Sequence, residues 1–179
     1  MSWFPEKKLT GKIMEDIVTI MLQESDYMVL PYGYEQTHPA LCQKWDSGMK
    51  PSITLDRLRN SPDLLVYDKL YGIARLVEVK SHISKNKNYW ISKKDLDNYH
   101  KFWDDCILVE IIPEDEIFYA EYVAKLASNG TVEKGSSVSI RKKFRTFKEV
   151  FNVNQTIIDK YKKKTLLIMD ALRNCSEKP

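Results

Sequence analysis

Two apolar runs joined by a short polar segment constrain the fold of this chain more than any other feature. The runs are Leu64–Tyr67 and Ile73–Val79, and the connection between them ends in Gly72. Short apolar runs bounded by turn-forming residues are typical of adjacent β-strands. The sequence therefore predicts an antiparallel β-hairpin, in which paired residues have numbers that sum to about 141–143.

Three charged residues interrupt these otherwise apolar strands. Asp63 stands at the start of the first strand, and Glu78 and Lys80 stand near the end of the second. Because side chains alternate between the two faces of a strand, Glu78 and Lys80 share one face, and the hairpin pairing brings Asp63 opposite them. We therefore expect two carboxylates and an ammonium group to converge at the mouth of the hairpin.

Converging carboxylates repel each other, and their burial costs free energy unless a cation compensates their charge. Oxygen ligands favour a hard divalent ion such as Mg²⁺ or Mn²⁺. Such an ion lowers the pKa of a bound water and stabilises the charge that develops on an attacked phosphate. The three residues therefore predict a site for metal-dependent hydrolysis of phosphodiester bonds.

The remaining chain predicts helices and strands around this hairpin. The predicted elements are a helix over 12–24 with Thr10 as its N-cap, a strand over 27–31, a long loop over 33–60 with a helical turn near Leu55, a helix from Ser92 to about Trp103, a buried central strand over 106–112, a strand over 117–122, a short helix over 123–127 and an amphipathic helix over 155–172. This order predicts an α/β fold with a mixed central sheet flanked by helices.

The motif Ser61-Pro62-Asp63, followed by Glu78-Val79-Lys80, resembles that of the PD-(D/E)xK nuclease superfamily, which includes restriction endonucleases and archaeal Holliday junction resolvases. The resemblance implies a restriction-endonuclease-like αβββαβ core over about 8–125. The length and composition suit a single domain spanning 1–179, in which 126–179 is expected to be a C-terminal elaboration. The resemblance also implies that Asp63 and Glu78 bind Mg²⁺ or Mn²⁺, that the Val79 carbonyl can add a ligand, and that Lys80 orients or activates the attacking water.

Members of this superfamily often add an acid from the first helix, where Glu15, Asp16 and Glu24 are available. Glu15 shares a helical stripe with Val18 and Leu22 and should face inward, whereas Asp16 lies on a more polar side. We therefore expect Glu15 to complete or orient the metal shell. The alternative is an ordinary solvated or ion-paired helix acid.

Basic residues mixed with aromatic ones predict a nucleic-acid-binding surface after the hairpin and again near residue 141. The candidates are Lys85, Lys87, Ser92, Lys93, Lys94, Arg141, Lys142 and Lys143. A helix that starts at Ser92 would favour a phosphate through its backbone donors and dipole. The alternatives are a lysine-rich surface for the first stretch and partial strand core for the second, and the net charge of +3 is too small to decide.

Other classes of site find little support. Cys42, Cys106 and Cys175 are widely spaced and odd in number, which argues against a disulfide framework and a zinc knuckle. Cys106 is expected to be a core residue, and the histidines lack metal-ligand spacing. His82 could contact substrate, although a plain surface role is the alternative. With neither a signal peptide nor an apolar span, the chain is expected to be soluble and cytoplasmic, without membrane contact.

The sequence therefore predicts a Mg²⁺- or Mn²⁺-dependent deoxyribonuclease. DNA as the substrate follows from the resemblance rather than from the residues themselves. A homodimer is expected, because symmetric cutting of a junction needs two sites. The alternatives are a non-catalytic nucleic-acid-binding or assembly protein on the same fold and a ribonuclease.

Overall fold

A six-stranded mixed sheet lies at the centre of the computed structural model, which describes residues 4–40, 50, 52–82, 90–113, 116–128, 132–134, 137–139 and 144–176. The strands with described bounds are β1 (Tyr27–Pro31), β2 (Leu64–Asp68), β3 (Ile73–Ser81), β4 (Trp90–Ser92), β5 (Ile107–Ile112), β6 (Ile117–Tyr122), β7 (Val132–Lys134), β8 (Ser137–Ser139) and β9 (Arg145–Thr146). The helices with described bounds are α1 (Phe4–Gln23), α2 (Tyr34–Thr37), α3 (Ile53–Arg59), α4 (Lys93–Phe102), α5 (Val123–Ser128), α6 (Phe147–Phe151) and α7 (Gln155–Ser176).

The strand order in this sheet is β1-β2-β3-β5-β6-β9. The predicted hairpin is confirmed: β2 and β3 pair antiparallel, with Leu64 opposite Val77, so that paired numbers sum to 141. β3 and β5 are parallel. A parallel pair needs a crossover, and α4 lies in the segment that connects these strands. The predicted α/β class with a mixed sheet flanked by helices is therefore confirmed.

The sheet is covered on both faces by apolar side chains. One cluster joins α1 and α7 to the sheet and includes Met14, Val77 and Met169. The other joins α4 and α5 to the opposite face and includes Leu96 and Leu108. All six residues of β5 are buried, which suits a central strand covered on both sides. Within the described ranges, none of the helices combines the length and apolarity needed to cross a membrane.

The turn of the hairpin is held by Asp68, and this fixes the register of the strands. The Asp68 Oδ1 atom accepts hydrogen bonds from the backbone N–H groups of Leu70 and Tyr71, at 3.0 and 3.1 Å. Gly72 then adopts a φ of +67°, which glycine tolerates without strain. Because register is set at the turn, it also decides which residues meet at the opposite end of the hairpin.

Several boundaries differ from the predictions. The first helix begins at Phe4, and Thr10 is only 1% exposed inside it rather than capping it. Pro5 is compatible with this earlier start, because proline is favoured in the first turn of a helix. The helical turn near Leu55 is confirmed as α3, where Ser52 caps the helix by accepting from the Leu55 N–H at 3.2 Å.

Other features lie outside the predictions. α2 interrupts the predicted loop, and β4, β8 and β7 form a second sheet that the sequence pattern did not indicate. Strands of three residues are too short for their periodicity to be recognised in a sequence. The division into a core over 8–125 and an elaboration over 126–179, within one domain, stays a prediction.

Candidate active site

Asp63 is fixed at the mouth of the hairpin by hydrogen bonds to its carboxylate and to its backbone. The backbone N–H of Val79 donates to Asp63 Oδ2 at 2.8 Å, which bridges the ends of β2 and β3. The Asp63 carbonyl accepts from the N–H groups of Tyr32 and Gly33, at 2.8 and 3.1 Å. The aspartate therefore lies opposite Glu78 and Val79, where the hairpin register predicts it.

Glu78 and Lys80 lie on the same face of β3, as predicted. The Lys80 Nζ atom is 2.6 Å from Glu78 Oε1. The same oxygen accepts a hydrogen bond from the Tyr99 hydroxyl at 2.6 Å. Glu78 is buried, and Lys80 also lies over the Tyr99 ring, with Nζ 5.5 Å from the ring centroid. The lysine and the tyrosine thus hold one oxygen of the glutamate between them.

The pKa of Asp63 is raised to about 8. Burial is the main cause, and the negative charge of Glu78 is the next. The N–H of Val79 and the ammonium of Lys80 lower the pKa, while Glu15 raises it further. At neutral pH and without another cation, Asp63 therefore keeps its proton.

Lys80 responds in the opposite sense. Burial lowers the pKa of its ammonium group, but the charge of Glu78, the hydrogen bond to Glu78 and the charge of Asp63 together raise that pKa above the ordinary value. Lys80 is therefore charged at neutral pH. It can donate hydrogen bonds and stabilise negative charge, but it is poorly suited to accept a proton.

Tyr99 is a contact that the sequence did not assign to the site. Its pKa is raised, first by burial and then by the charge of Glu78, so the hydroxyl remains a proton donor. Tyr99 lies on α4 between Leu96 and Trp103, and all three are buried. This spacing of three and four residues marks the helix face that packs on the sheet, and it could have placed Tyr99 there.

Glu15 lies inward on α1, as predicted. Its side chain is 14% exposed, whereas that of Asp16 is 59% exposed. The Glu15 Oε1 atom lies 2.7 Å from Lys12 Nζ and accepts from Gln36 Nε2 at 3.1 Å. Glu15 acts on Asp63 electrostatically, as one of the weaker contributions to its pKa. Its role in a metal shell stays a prediction.

The donor set suits a hard divalent cation. Asp63 and Glu78 offer carboxylate oxygens, and the raised pKa of Asp63 means that the Lys80 ammonium alone does not balance their charge. Oxygen ligands of this kind match Mg²⁺ or Mn²⁺. Across the described part of the chain, however, the side chains of His, Cys, Asp and Glu form no ready group of three or more metal ligands.

A polar groove of about 340 Å³ lies between α3 and α4. Its lining residues are Asp56, Arg59, Asn60, Lys94, Asp95, Asn98, Lys101 and Phe102. The Asn98 Nδ2 atom donates to Asn60 Oδ1 at 3.1 Å, which ties the two sides together. Asp95 acts electrostatically on both Lys80 and Tyr99. The groove therefore adjoins the candidate site.

The predicted nucleic-acid-binding residues divide into two groups. Ser92 caps α4, where its Oγ accepts from the Asp95 N–H at 3.4 Å, and Lys93 and Lys94 are exposed in the first turn. Of these, Lys94 lines the groove. The predictions that lie outside the described residues are Lys85, Lys87, Arg141, Lys142 and Lys143.

No family model and no curated protein matches this chain. Among solved structures, it is similar to Hjc, a Holliday junction resolvase from the archaeal hyperthermophile Archaeoglobus fulgidus, at 10% identity and a TM-score of 0.48, covering 80% of this chain and 97% of that one. It is also similar to a bacterial homing endonuclease at 19% identity and a TM-score of 0.44, covering 81% and 91%. Both similarities are in the arrangement of helices and strands.

Proposed function

We propose that this chain is a divalent-metal-dependent endonuclease that hydrolyses phosphodiester bonds in DNA. The observation that carries the proposal is the meeting of Asp63 and Glu78 beside Lys80, with the pKa of Asp63 raised to about 8. Strongly shifted groups that converge in this way are typical of functional sites. DNA is proposed as the substrate from the motif's resemblance.

In this proposal, Asp63 and Glu78 hold Mg²⁺ or Mn²⁺, the Val79 carbonyl adds a ligand, and Glu15 completes or orients the shell. The bound ion would lower the pKa of a water and neutralise charge on the attacked phosphate. Tyr99 and Lys80 hold Glu78 in place through its Oε1 atom. These contacts orient the carboxylate before substrate arrives.

Lys80 is proposed to orient the attacking water and to stabilise the phosphate charge as it develops. Its raised pKa supports this role over that of a general base, because the ammonium keeps its protons at neutral pH. The proton released by the water must then leave through another acceptor. Glu15 is a candidate, because it is partly exposed and lies near Asp63.

The groove between α3 and α4 is proposed as part of the path of the DNA strand. Arg59, Lys94 and Lys101 line it, and cationic side chains supply most of the affinity for a phosphate backbone. Lys93 beside it, and the basic residues at 85, 87 and 141–143, are proposed to extend this surface. We also propose a homodimer, because symmetric cutting of a junction needs two sites. A cytoplasmic location is proposed as well.

A cleavage panel tests the proposal. Supercoiled, linear, single-stranded and four-way-junction DNA, and RNA, would be incubated with Mg²⁺, Mn²⁺ or a chelator. We expect metal-dependent cutting of DNA by the wild type and loss of it in Asp63→Ala, Glu78→Ala and Lys80→Ala. Asp159→Asn, which changes an exposed acid on α7, serves as the matched control.

The contacts of Glu78 also support one alternative function. Glu78 is already neutralised by Lys80 and bonded by Tyr99, so the site could persist without a metal in a non-catalytic nucleic-acid-binding protein. DNA binding that survives all three alanine changes, with no cutting by the wild type under any metal, would establish that rival. Preferential cutting of RNA would instead indicate a ribonuclease.

A further inference from the structure

A buried glutamate lies one strand away from the candidate site. Glu110 interrupts the apolar strand β5 and is 1% exposed. Among the described residues, neither of its carboxylate oxygens accepts a hydrogen bond. Burial of a carboxyl group that accepts no hydrogen bond costs free energy, so its presence calls for a compensating role.

Glu110 lies on the sheet face that carries the site. Its Cα is paired with that of Lys80 in the parallel ladder, so the two side chains project from the same face. Lys80 is directed to Glu78, at 2.6 Å, and Glu110 lies beside a residue further along the chain. The His82 Nε2 atom lies 3.2 Å from Glu110 Oε1, at ion-pair distance.

His82 connects this buried acid with the surface. Its backbone N–H donates to the Ile111 carbonyl at 3.0 Å, which continues the pairing with β5 beyond the end of β3. Its side chain is 28% exposed, so the imidazole ring that lies beside Glu110 is also partly accessible to solvent. A carboxylate beside an imidazole ring helps to set the orientation of that ring.

The distance between His82 and Lys80 along the chain decides what the histidine side chain can contact. His82 is two residues beyond Lys80, or about 7 Å along the strand. It is therefore too far from Asp63 and Glu78 to act on the phosphate that is cut, but it lies on the same face and in line with the site. A strand of DNA that crosses Asp63, Glu78 and Lys80 would bring another of its phosphates to this edge.

We propose that His82, held in place by Glu110, binds a phosphate of the substrate strand beside the one that is cut. This inference rests on the proposed function, because it requires a nucleic-acid strand on this face. His82 contacts the substrate, and Glu110 is a positioning residue that acts through His82.

Binding can be measured separately from cutting. The affinity of the full chain for a fluorescently labelled DNA duplex and for a labelled four-way junction would be followed by anisotropy, with chelator present, over a series of salt concentrations. Each phosphate contact contributes about 0.9 to the slope of log affinity against log salt on duplex DNA. We expect His82→Ala to weaken binding and to lower that slope by about 1. His82→Arg should preserve the slope, because it keeps a cation at the same edge.

His100→Ala is the matched control, because it removes an exposed histidine from α4 that does not line the groove. It should leave the slope unchanged. Glu110→Gln should reduce the slope in the wild-type background and have no further effect in His82→Ala. A purely structural role for Glu110 would instead change the melting temperature and leave the salt slope intact in both backgrounds.

An unchanged slope in a folded His82→Ala variant overturns the phosphate contact, even if the wild type cuts DNA normally. Absence of any DNA binding by the wild type overturns it as well. A lowered slope together with no metal-dependent cutting by the wild type supports the contact and removes the nuclease proposal. The two proposals can therefore fail independently.

Discussion

Two buried glutamates on the same row of the sheet differ in the balance of charge around them. Glu78 on β3 and Glu121 on β6 both lie beside Leu108 of β5, one on each side. Glu121 accepts hydrogen bonds from Arg145 Nε and Nη2 at 2.8 and 2.7 Å and from the Tyr122 N–H at 3.0 Å, and Lys125 lies 3.7 Å away. Two cations therefore serve one carboxylate at Glu121.

The ratio of cations to carboxylates within the described part of the chain is reversed at the candidate site. Among the described residues, the ammonium of Lys80 faces both Glu78 and Asp63, and Glu15 adds to the negative charge. The pKa of Asp63 is raised to about 8, whereas the pKa of Glu121 is lowered, because the hydrogen bond and charge of Arg145 outweigh the effect of burial. Glu121 is compensated within the fold, whereas the carboxylates at the candidate site keep an excess of negative charge, as is common at functional sites.

The largest expected effect is on activity, which should depend on the candidate site and not on Glu121. Asp63→Asn and Glu78→Gln should each lower the rate of metal-dependent DNA cleavage by at least about 100-fold, because each removes a charge directed at the reacting phosphate and its metal. Glu121→Gln should leave the rate per folded molecule close to that of the wild type. Single-turnover cleavage assays measure this, and an equal loss at all three positions would contradict the division.

Stability should depend on pH with opposite signs in the two regions. The pKa of Asp63 is raised in the fold, so its contribution to stability is present at low pH and is lost as the pH rises from about 4 towards 8. The pKa of Glu121 is lowered, so its contribution is present at neutral pH and is lost as the pH falls through its folded pKa. The metal-free melting temperature should therefore fall by several degrees between about pH 5 and 8.

Variants and added metal distinguish the contribution of Asp63 to this pH dependence from the contributions of other acids. Glu110, with a pKa raised to about 7 by burial, contributes in the same direction as Asp63. Asp63→Asn should flatten the decline, and Glu110→Gln should flatten the remainder. Mg²⁺ should stabilise the wild type increasingly as the pH rises, because its binding displaces the proton from Asp63. A melting temperature that is constant over this range would contradict the excess of negative charge at the site.

Removing a cation beside Glu121 should lower the stability of the fold rather than its activity. Arg145→Ala leaves the buried Glu121 without its bidentate partner, and we expect a loss of about 2–3 kcal/mol in the free energy of unfolding, less than for a fully buried pair because Arg145 is partly exposed. Lys125→Ala is the control, with an expected loss below about 1 kcal/mol, because this lysine is largely exposed. Urea unfolding measures both, and an equal effect would show that Arg145 is not the main partner.

The sequence was most informative where periodicity and pairing act together. The two apolar runs and the short segment between them predict that Asp63 meets Glu78, because antiparallel register follows from residue numbers, and the observed register agrees. The contacts of Tyr99 and the pair His82–Glu110 join elements that are distant in sequence, and α4 must first pack on the sheet before Tyr99 can reach Glu78. Such contacts depend on tertiary packing, which residue spacing within one element does not reveal.

The smallest expected effect concerns how firmly Glu78 is held. Tyr99→Phe removes the hydroxyl that donates to Glu78 Oε1 and leaves the ring that packs on the sheet and faces Lys80. Outer hydrogen-bond partners of metal ligands contribute about 10–100-fold in metal affinity, and we expect the lower end here, because Lys80 still contacts the same oxygen. The Mg²⁺ concentration for half-maximal cleavage should thus rise by about 10-fold, with a smaller change in the rate at saturating metal. Tyr67→Phe, on the more exposed part of the hairpin, should change neither value. If Tyr99→Phe lowered the saturated rate without changing the metal requirement, the hydroxyl would act on the substrate rather than on the glutamate.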